Sequence, residues 1–368
     1  MKKQFAVYAI ILMAITACKK IEDKKDEDNQ PLVYDSVNFN NNIQPFLELS
    51  QSFNAIVNEV KKGRTSAEVS ETALINAYIT GTPTLQSITT SFYNNMLMGS
   101  SGWFSIAAKS SGSTFHPDTP GSKGSFGGYM FDENGFEPEQ MIEKGMFGST
   151  LTNKALELLR NNPTLAQVDQ ALFLFGSNPS FKNSGNTTKH GSNADRYLAN
   201  YIARRDRNNG NGYYSKFKKN FIKLQEAVKA GKTSERDEAV AAIAEIAEKA
   251  NAATIINYCY ASISNLSQTN LTDAQKAATI HAIGECHGFT LGWKTVNGKK
   301  ITDAQIDEIM NLLNAPVTGG GKPLLFITDR LNQIVKLQMV ISNLQNIYGF
   351  RNVDLEEFKN NWVAVQDR

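Results

Sequence analysis

The chain has 368 residues, 41% of them hydrophobic and 20% charged, with a formal net charge of +2. That balance is ordinary for a folded protein, and because positive and negative residues are interspersed it argues against nucleic acid as a partner. The densest basic run, ARRDR at Ala203 to Arg207 followed by KFKKNF at Lys216 to Phe221, reads as the wet face of helices and not as a phosphate-binding stripe.

In chain order the first element is an export signal. Residues 1–17 carry two lysines, then an apolar run from Phe5 to Ile15 that is too short for a stable membrane anchor, and they end on Ile15, Thr16 and Ala17 before Cys18. This resembles the signal peptide and lipobox of bacterial lipoproteins, with Thr16 a tolerated variant. The resemblance implies that Cys18 is the lipidated first residue of the mature chain, held to the outer membrane of the cell envelope. Residues 18–32, with almost no apolar content after Cys18, read as an acidic and lysine-rich tether. Two readings of it stay open: a plain spacer, or a surface-export signal like that of some Gram-negative lipoproteins.

From residue 33 onward the repeating signal is helical, and the expected fold class is all-α, built from helical bundles. Helices are expected over 42–62, 69–80, 84–98, 138–159, 165–175, 194–207, 213–230, 235–264, 273–294, 303–314, 323–348 and 355–365. Capping boxes mark several starts: Thr164 with Gln167, Thr272 with Gln275, Thr302 with Gln305, and a looser Asp354 with Glu357. Residues 33–350 form the expected main domain, with a division into two bundle halves near 177–193, and 351–368 a C-terminal helix. Two stretches break the pattern. Residues 99–135, rich in Gly and Ser, read as a functional loop or a mobile excursion, and 177–193 as a polar connection. His116 and His190 fall in these loops, where an exposed histidine without a role is the default expectation.

The densest chemistry lies in IHAIGECHGF, Ile280 to Phe289. At about 100° per residue, His281, Gly284, Glu285, Gly288 and Gly292 share one stripe of a helix. Ala282, Cys286, Phe289 and Trp293 form the opposite, core-facing stripe, which makes Cys286 a packing or disulfide residue. Cys259 and Cys286 are an even pair in an exported chain, so a disulfide between them and two separately buried thiols are both open. His287 points away from His281 and Glu285. The order His-x-x-x-Glu is not the His-Glu-x-x-His of a zinc peptidase, and no Gly-x-Ser-x-Gly elbow occurs, so an enzyme, in particular a metal-dependent peptidase, ranks third. The glycines leave room for another helix or a ligand to approach the backbone.

Four segments, YMFDENGFEPEQMIEKGMFGS (129–149), VDQALFLFG (168–176), DRYLANYI (195–202) and IHAIGECHGF, occur in order and resemble an imelysin-related group of bacterial lipoproteins whose domain has no established function. The resemblance spans about 33–348. It implies a helical, two-half fold and a link to iron uptake through a Gly-x-His-x-x-Glu motif. Only His281 and Glu285 match that motif; the glutamate comes four residues after the histidine instead of three, and Thr279 stands where the glycine would be.

Further polar groups are candidates for the same site. Glu139 and Glu143 stand one turn apart with Gln140 and Lys144 beside them, and Asp169 sits in an otherwise apolar helix. An imidazole with several carboxylates suits iron or another divalent metal. The expected metal ligands are therefore His281, Glu285, Glu143 and Asp169, with Gln140, Glu139, Gly284 and Gly288 lining the pocket. One functional reading is a lipoprotein that captures iron, haem or another small ligand and passes it to an outer-membrane uptake partner; it requires these residues to converge. The other is an adhesion, scaffold or partner-binding lipoprotein without metal, which requires them to scatter.

Overall fold

The computed structural model describes residues 33–368. The expected signal segment 1–17, the lipidation residue Cys18 and the tether 18–32 lie outside the described residues. Val33–Arg368 forms one compact unit, into which residues 351–368 pack. It is mostly helical, and among the described residues no helix is long and apolar enough to cross a membrane.

The spine is a 34-residue helix, Thr233–Leu266. Its buried side is rich in small residues, with Ala239, Ala247, Ala250 and Ala253 among isoleucines, so neighbouring helices can approach closely. Tyr213–Lys229, Asp273–Leu291 and Arg330–Tyr348 lie against it. Asp273–Leu291 is in turn covered on its other face by Pro138–Met146, and is buried along nearly its whole second half. That sandwiching explains why the glycine stripe and the Cys286 stripe both lose solvent contact. Cys259 and Cys286 meet in this core as thiols, their Sγ atoms 4.0 Å apart.

The three threonine capping boxes form as expected, each fixing the start of its helix. The Asp354 reading needs correction. Helix Asn352–Phe358 starts three residues earlier, and Asp354 is the residue that reaches back, accepting from the Arg351 backbone N–H at 2.8 Å.

Several expected helices are broken by local chemistry. Residues 84–98 divide into Leu85–Ile88 and Ser91–Leu97, because Thr90 leaves helical geometry to cap the second piece through Tyr93 N–H. Residues 323–348 divide at Asp329 into Leu325–Thr328 and Arg330–Tyr348, and the C-terminal element into Asn352–Phe358 and Trp362–Val365. The helix over 138–159 runs through but widens into a π-helical segment at Phe147–Thr152. The Ser149 carbonyl is taken there by Thr90 N–H at 3.0 Å.

The largest difference is at 99–135. It holds a helix, Trp103–Ser110, and a hairpin, Gly124–Phe126 paired with Tyr129–Phe131. The turn is Gly127–Gly128, both at positive φ, the conformation a two-residue hairpin loop demands. The hairpin closes a small second core of Phe115, Phe131 and Ile280 over the Asp273–Leu291 helix.

Candidate functional site

The helix Pro138–Met146 starts from a built turn. Asp132 Oδ1 accepts the backbone N–H groups of Asn134 and Phe136 at 2.9 and 2.8 Å, and its burial pushes the carboxyl up to about 6. The turn delivers Glu137 to the N-cap, and Pro138 suits the first helical position. Glu137 is fully buried, and its Oε2 lies 2.8 Å from His281 Nδ1 while its Oε1 accepts from Gln140 Nε2 at 3.2 Å.

The glycine stripe sets how closely the two helices approach. A Cβ at Gly288 would collide with the Gln140 carbonyl and Lys144 Cβ, and one at Gly292 with the Gly145 carbonyl; Gly148 on the other helix is blocked by Gly292 in the same way. Gly284 is looser, with Glu137 and Gln140 side chains at 3.1–3.5 Å from that position. The glycines expected to line a ligand pocket thus serve helix contact first.

Across this seam the charged side chains meet. His281 Nε2 lies 3.7 Å from Glu285 Oε1, so the imidazole stands between two carboxylates. Tyr129 of the hairpin stacks on the ring at 4.0 Å with planes 14° apart, and the histidine side chain keeps 19% exposure. Burial by itself would lower the His281 pKa; the Glu137 charge and hydrogen bond, with Glu285, outweigh it and raise it.

Lys144, buried, sits 2.9 Å from Glu143 Oε2 and 3.9 Å from Glu285 Oε1, over the rings of Phe147 and Tyr201. Burial opposes its charge, but Glu143 and Glu285 hold its pKa well above the ordinary value. Glu143 is opposed by burial too, yet Lys144 and Lys61 bring it below the usual range. Glu139, its side chain fully buried, is gripped by Arg64 through two bonds of 2.6 Å, and burial still raises its carboxyl.

Glu285 is held differently. It is 5% exposed, with Tyr201 Oη at 3.4 Å, His281 at 3.7 Å and Lys144 at 3.9 Å, and the Tyr258 hydroxyl also faces it. Beside it, Gln140 Oε1 is buried without a hydrogen-bond partner among the described residues.

Of the expected site residues, His281, Glu285, Glu143, Gln140 and Glu139 therefore gather at one helix seam. Asp169 does not belong with them. It accepts from Tyr34 Oη at 2.5 Å and Asn42 Nδ2 at 2.7 Å, tying the first described segment to the helix Leu165–Phe175. Burial raises its carboxyl, and the two hydrogen bonds oppose that only in part. His287 points away as expected, its Nε2 donating to the Leu313 carbonyl at 2.9 Å.

Glu137, Tyr129, Arg64 and Tyr201 were not anticipated. Glu137 precedes a proline at a helix start, a position that signals capping, and only the tertiary packing brings it to a residue 144 positions away. Among the described residues no three His, Cys, Asp or Glu side chains converge tightly enough to hold a metal ion by themselves. No family model, curated protein or solved structure matches the chain.

Proposed function

We propose that this protein is an imelysin-like lipoprotein of the cell envelope that captures a divalent metal ion, iron as its cargo, at His281 and Glu285. What supports the reading is the pairing of His281 with two carboxylates in different roles. His281 Nδ1–H donates to Glu137 and so leaves Nε2 facing Glu285, the carboxylate–histidine arrangement that orients a ligand imidazole. Two donors about 2.1 Å from one cation at tetrahedral or octahedral angles stand about 3.0–3.4 Å apart. The 3.7 Å between Nε2 and Oε1 needs only a small movement to meet that.

The loosely bonded Glu285 carboxylate and the unpartnered Gln140 oxygen are the groups free to make it. Two or three protein donors leave the remaining positions of a cation to water or to a chelator, which suits cargo that must be released. Binding competes with the proton on Nε2, so affinity rises with pH.

A second reading, a partner-binding lipoprotein without metal, is favoured by one observation. Glu139 is already neutralised by Arg64 and Glu143 by Lys144, leaving the seam close to charge balance. Metal analysis with iron(II) titration separates the two. Near-stoichiometric binding that disappears in the His281→Ala/Glu285→Ala double variant and survives Asp169→Asn supports the metal reading. If the unaltered protein binds no metal under anaerobic titration, the seam is a structural ion network and the partner-binding reading replaces it.

A further inference from the structure

The basic run Ala203 to Arg207 is not the wet helix face its sequence suggests. Arg205, the C-cap of helix Tyr197–Arg204, is 7% exposed. Its Nη1 donates to the Phe358 carbonyl at 2.7 Å, an oxygen that Asn257 Nδ2 also reaches at 2.7 Å. Its Nε is buried with no acceptor among the described residues. The charged neighbour is another cation, Arg204, and burial draws the Arg205 pKa down to about 10 in spite of Tyr258 and Tyr201. A helix C-terminus offsets part of such a charge. Even so, a buried guanidinium with one carbonyl partner and no counter-ion among the described residues is a costly feature for a fold to keep.

Arg205 lines a cavity of about 460 Å³ between the start of helix Tyr213–Lys229 and the two C-terminal helices, away from the His281 seam. Most other charges in its wall are already paired. Arg207 Nε lies 3.0 Å from Glu357, Arg351 is 2.8 Å from Asp354, and Lys249 is 2.6 Å from Glu245. Arg205 and the exposed Lys216 remain without a carboxylate partner among the described residues. Half-buried Tyr213 and Trp362 supply an apolar wall, with the Arg207 guanidinium 4.5 Å over the Trp362 ring.

We propose that this cavity binds a small organic carboxylate, its charge placed against the Arg205 guanidinium, whose Nε is itself closed to solvent, and its apolar body against Tyr213 and Trp362. A guanidinium N–H makes a charge-assisted hydrogen bond to a carboxylate. Asp354 and Glu357 in the same wall disfavour a multiply charged phosphate, and the volume lies in the range of small-molecule sites. The proposal is independent of the metal reading, since it shares no residue with it.

The test is calorimetric titration of the full-length protein with benzoate and hexanoate, and with inorganic phosphate, at fixed ionic strength. Saturable one-to-one binding of a carboxylate is expected, weakened by at least about tenfold in Arg205→Met, as loss of a charge-assisted hydrogen bond implies. That variant should keep its circular dichroism spectrum and melt no lower than the unaltered protein, because it removes a buried unpaired charge. Trp362→Ala, on the short C-terminal helix, reads the same cavity without touching Arg205, and is expected to weaken benzoate severalfold. No saturable binding of either carboxylate, unchanged affinity in either folded variant, or phosphate binding as tightly as the carboxylates would overturn the proposal.

Discussion

His281 Nδ1 and Glu137 Oε2 lie 2.8 Å apart, joining the helix Asp273–Leu291 to the turn that opens helix Pro138–Met146. The pair fixes the tautomer and makes His281 a pH-dependent fastener. Its folded pKa is raised above about 6.5, so its stabilising effect is fully present below that value and lost as pH rises through the folded pKa. Glu137→Gln removes the charge that raises it. The melting-temperature gap between the two proteins should be widest near pH 6 and narrow toward alkaline pH. A gap that stays constant from pH 6 to 9 would show that His281 does not carry the charge.

Arg64 and Glu139 make a second, stronger prediction. Glu139 is buried in full, and among the described residues its bidentate partner is the only cation gripping it closely. Arg64→Met should cost about 3–5 kcal/mol at pH 7, the usual penalty for leaving a buried charge alone. The Glu139 carboxyl is already raised by burial and rises further without Arg64, so the folded variant binds the extra proton and regains stability as pH falls. Adding Glu139→Gln should recover most of the loss at pH 7. Urea unfolding of the four proteins of this cycle measures the coupling directly; strict additivity would remove the pair from the account.

The helical class, the three threonine caps and the one-turn spacing of His281 with Glu285 and of Glu139 with Glu143 were legible because each rests on local spacing, whereas the meeting of the two helices that carry them is tertiary packing. The hairpin Gly124–Phe126/Tyr129–Phe131 was hidden by its short strands, although Gly127–Gly128 between aromatic residues is the turn signal that would have found it. Glu137, Arg64 and Tyr201 were out of reach for another reason: nothing near them in sequence marks a partner more than 70 residues away. Asp169 was misread because a lone acid in an apolar helix looks the same whether it meets a cation or Tyr34 and Asn42. Arg205 was misread because periodicity assigns a face and not what covers it.

The glycine stripe is testable by ordering two substitutions. A Cβ at Gly288 would run into the Gln140 backbone carbonyl, which cannot move without shifting the helix, while at Gly284 it meets side-chain atoms of Glu137 and Gln140. Alanine gains about 1 kcal/mol of helix propensity at either site. Overpacking of about 1–3 kcal/mol or more should exceed that gain at Gly288. Gly288→Ala is expected to destabilise in urea unfolding and Gly284→Ala to be close to neutral. The reverse order would mean that the seam is not set by backbone contact.

His287 closes the pH behaviour from the acid side. It is completely buried, its Nε2 donates to Leu313, and burial lowers its pKa to about 4. A histidine depressed in the fold takes up its proton only on unfolding, so stability is full above about pH 6.5 and declines as pH falls toward 4. The lowering from about 6.5 to about 4 corresponds to roughly 3 kcal/mol over that window. His287→Gln keeps a donor for Leu313 but does not titrate. Its unfolding free energy, lower than that of the unaltered protein at pH 7, should fall less steeply between pH 6.5 and 4, so the two curves converge in acid. Parallel curves would place the acid sensitivity of the fold elsewhere.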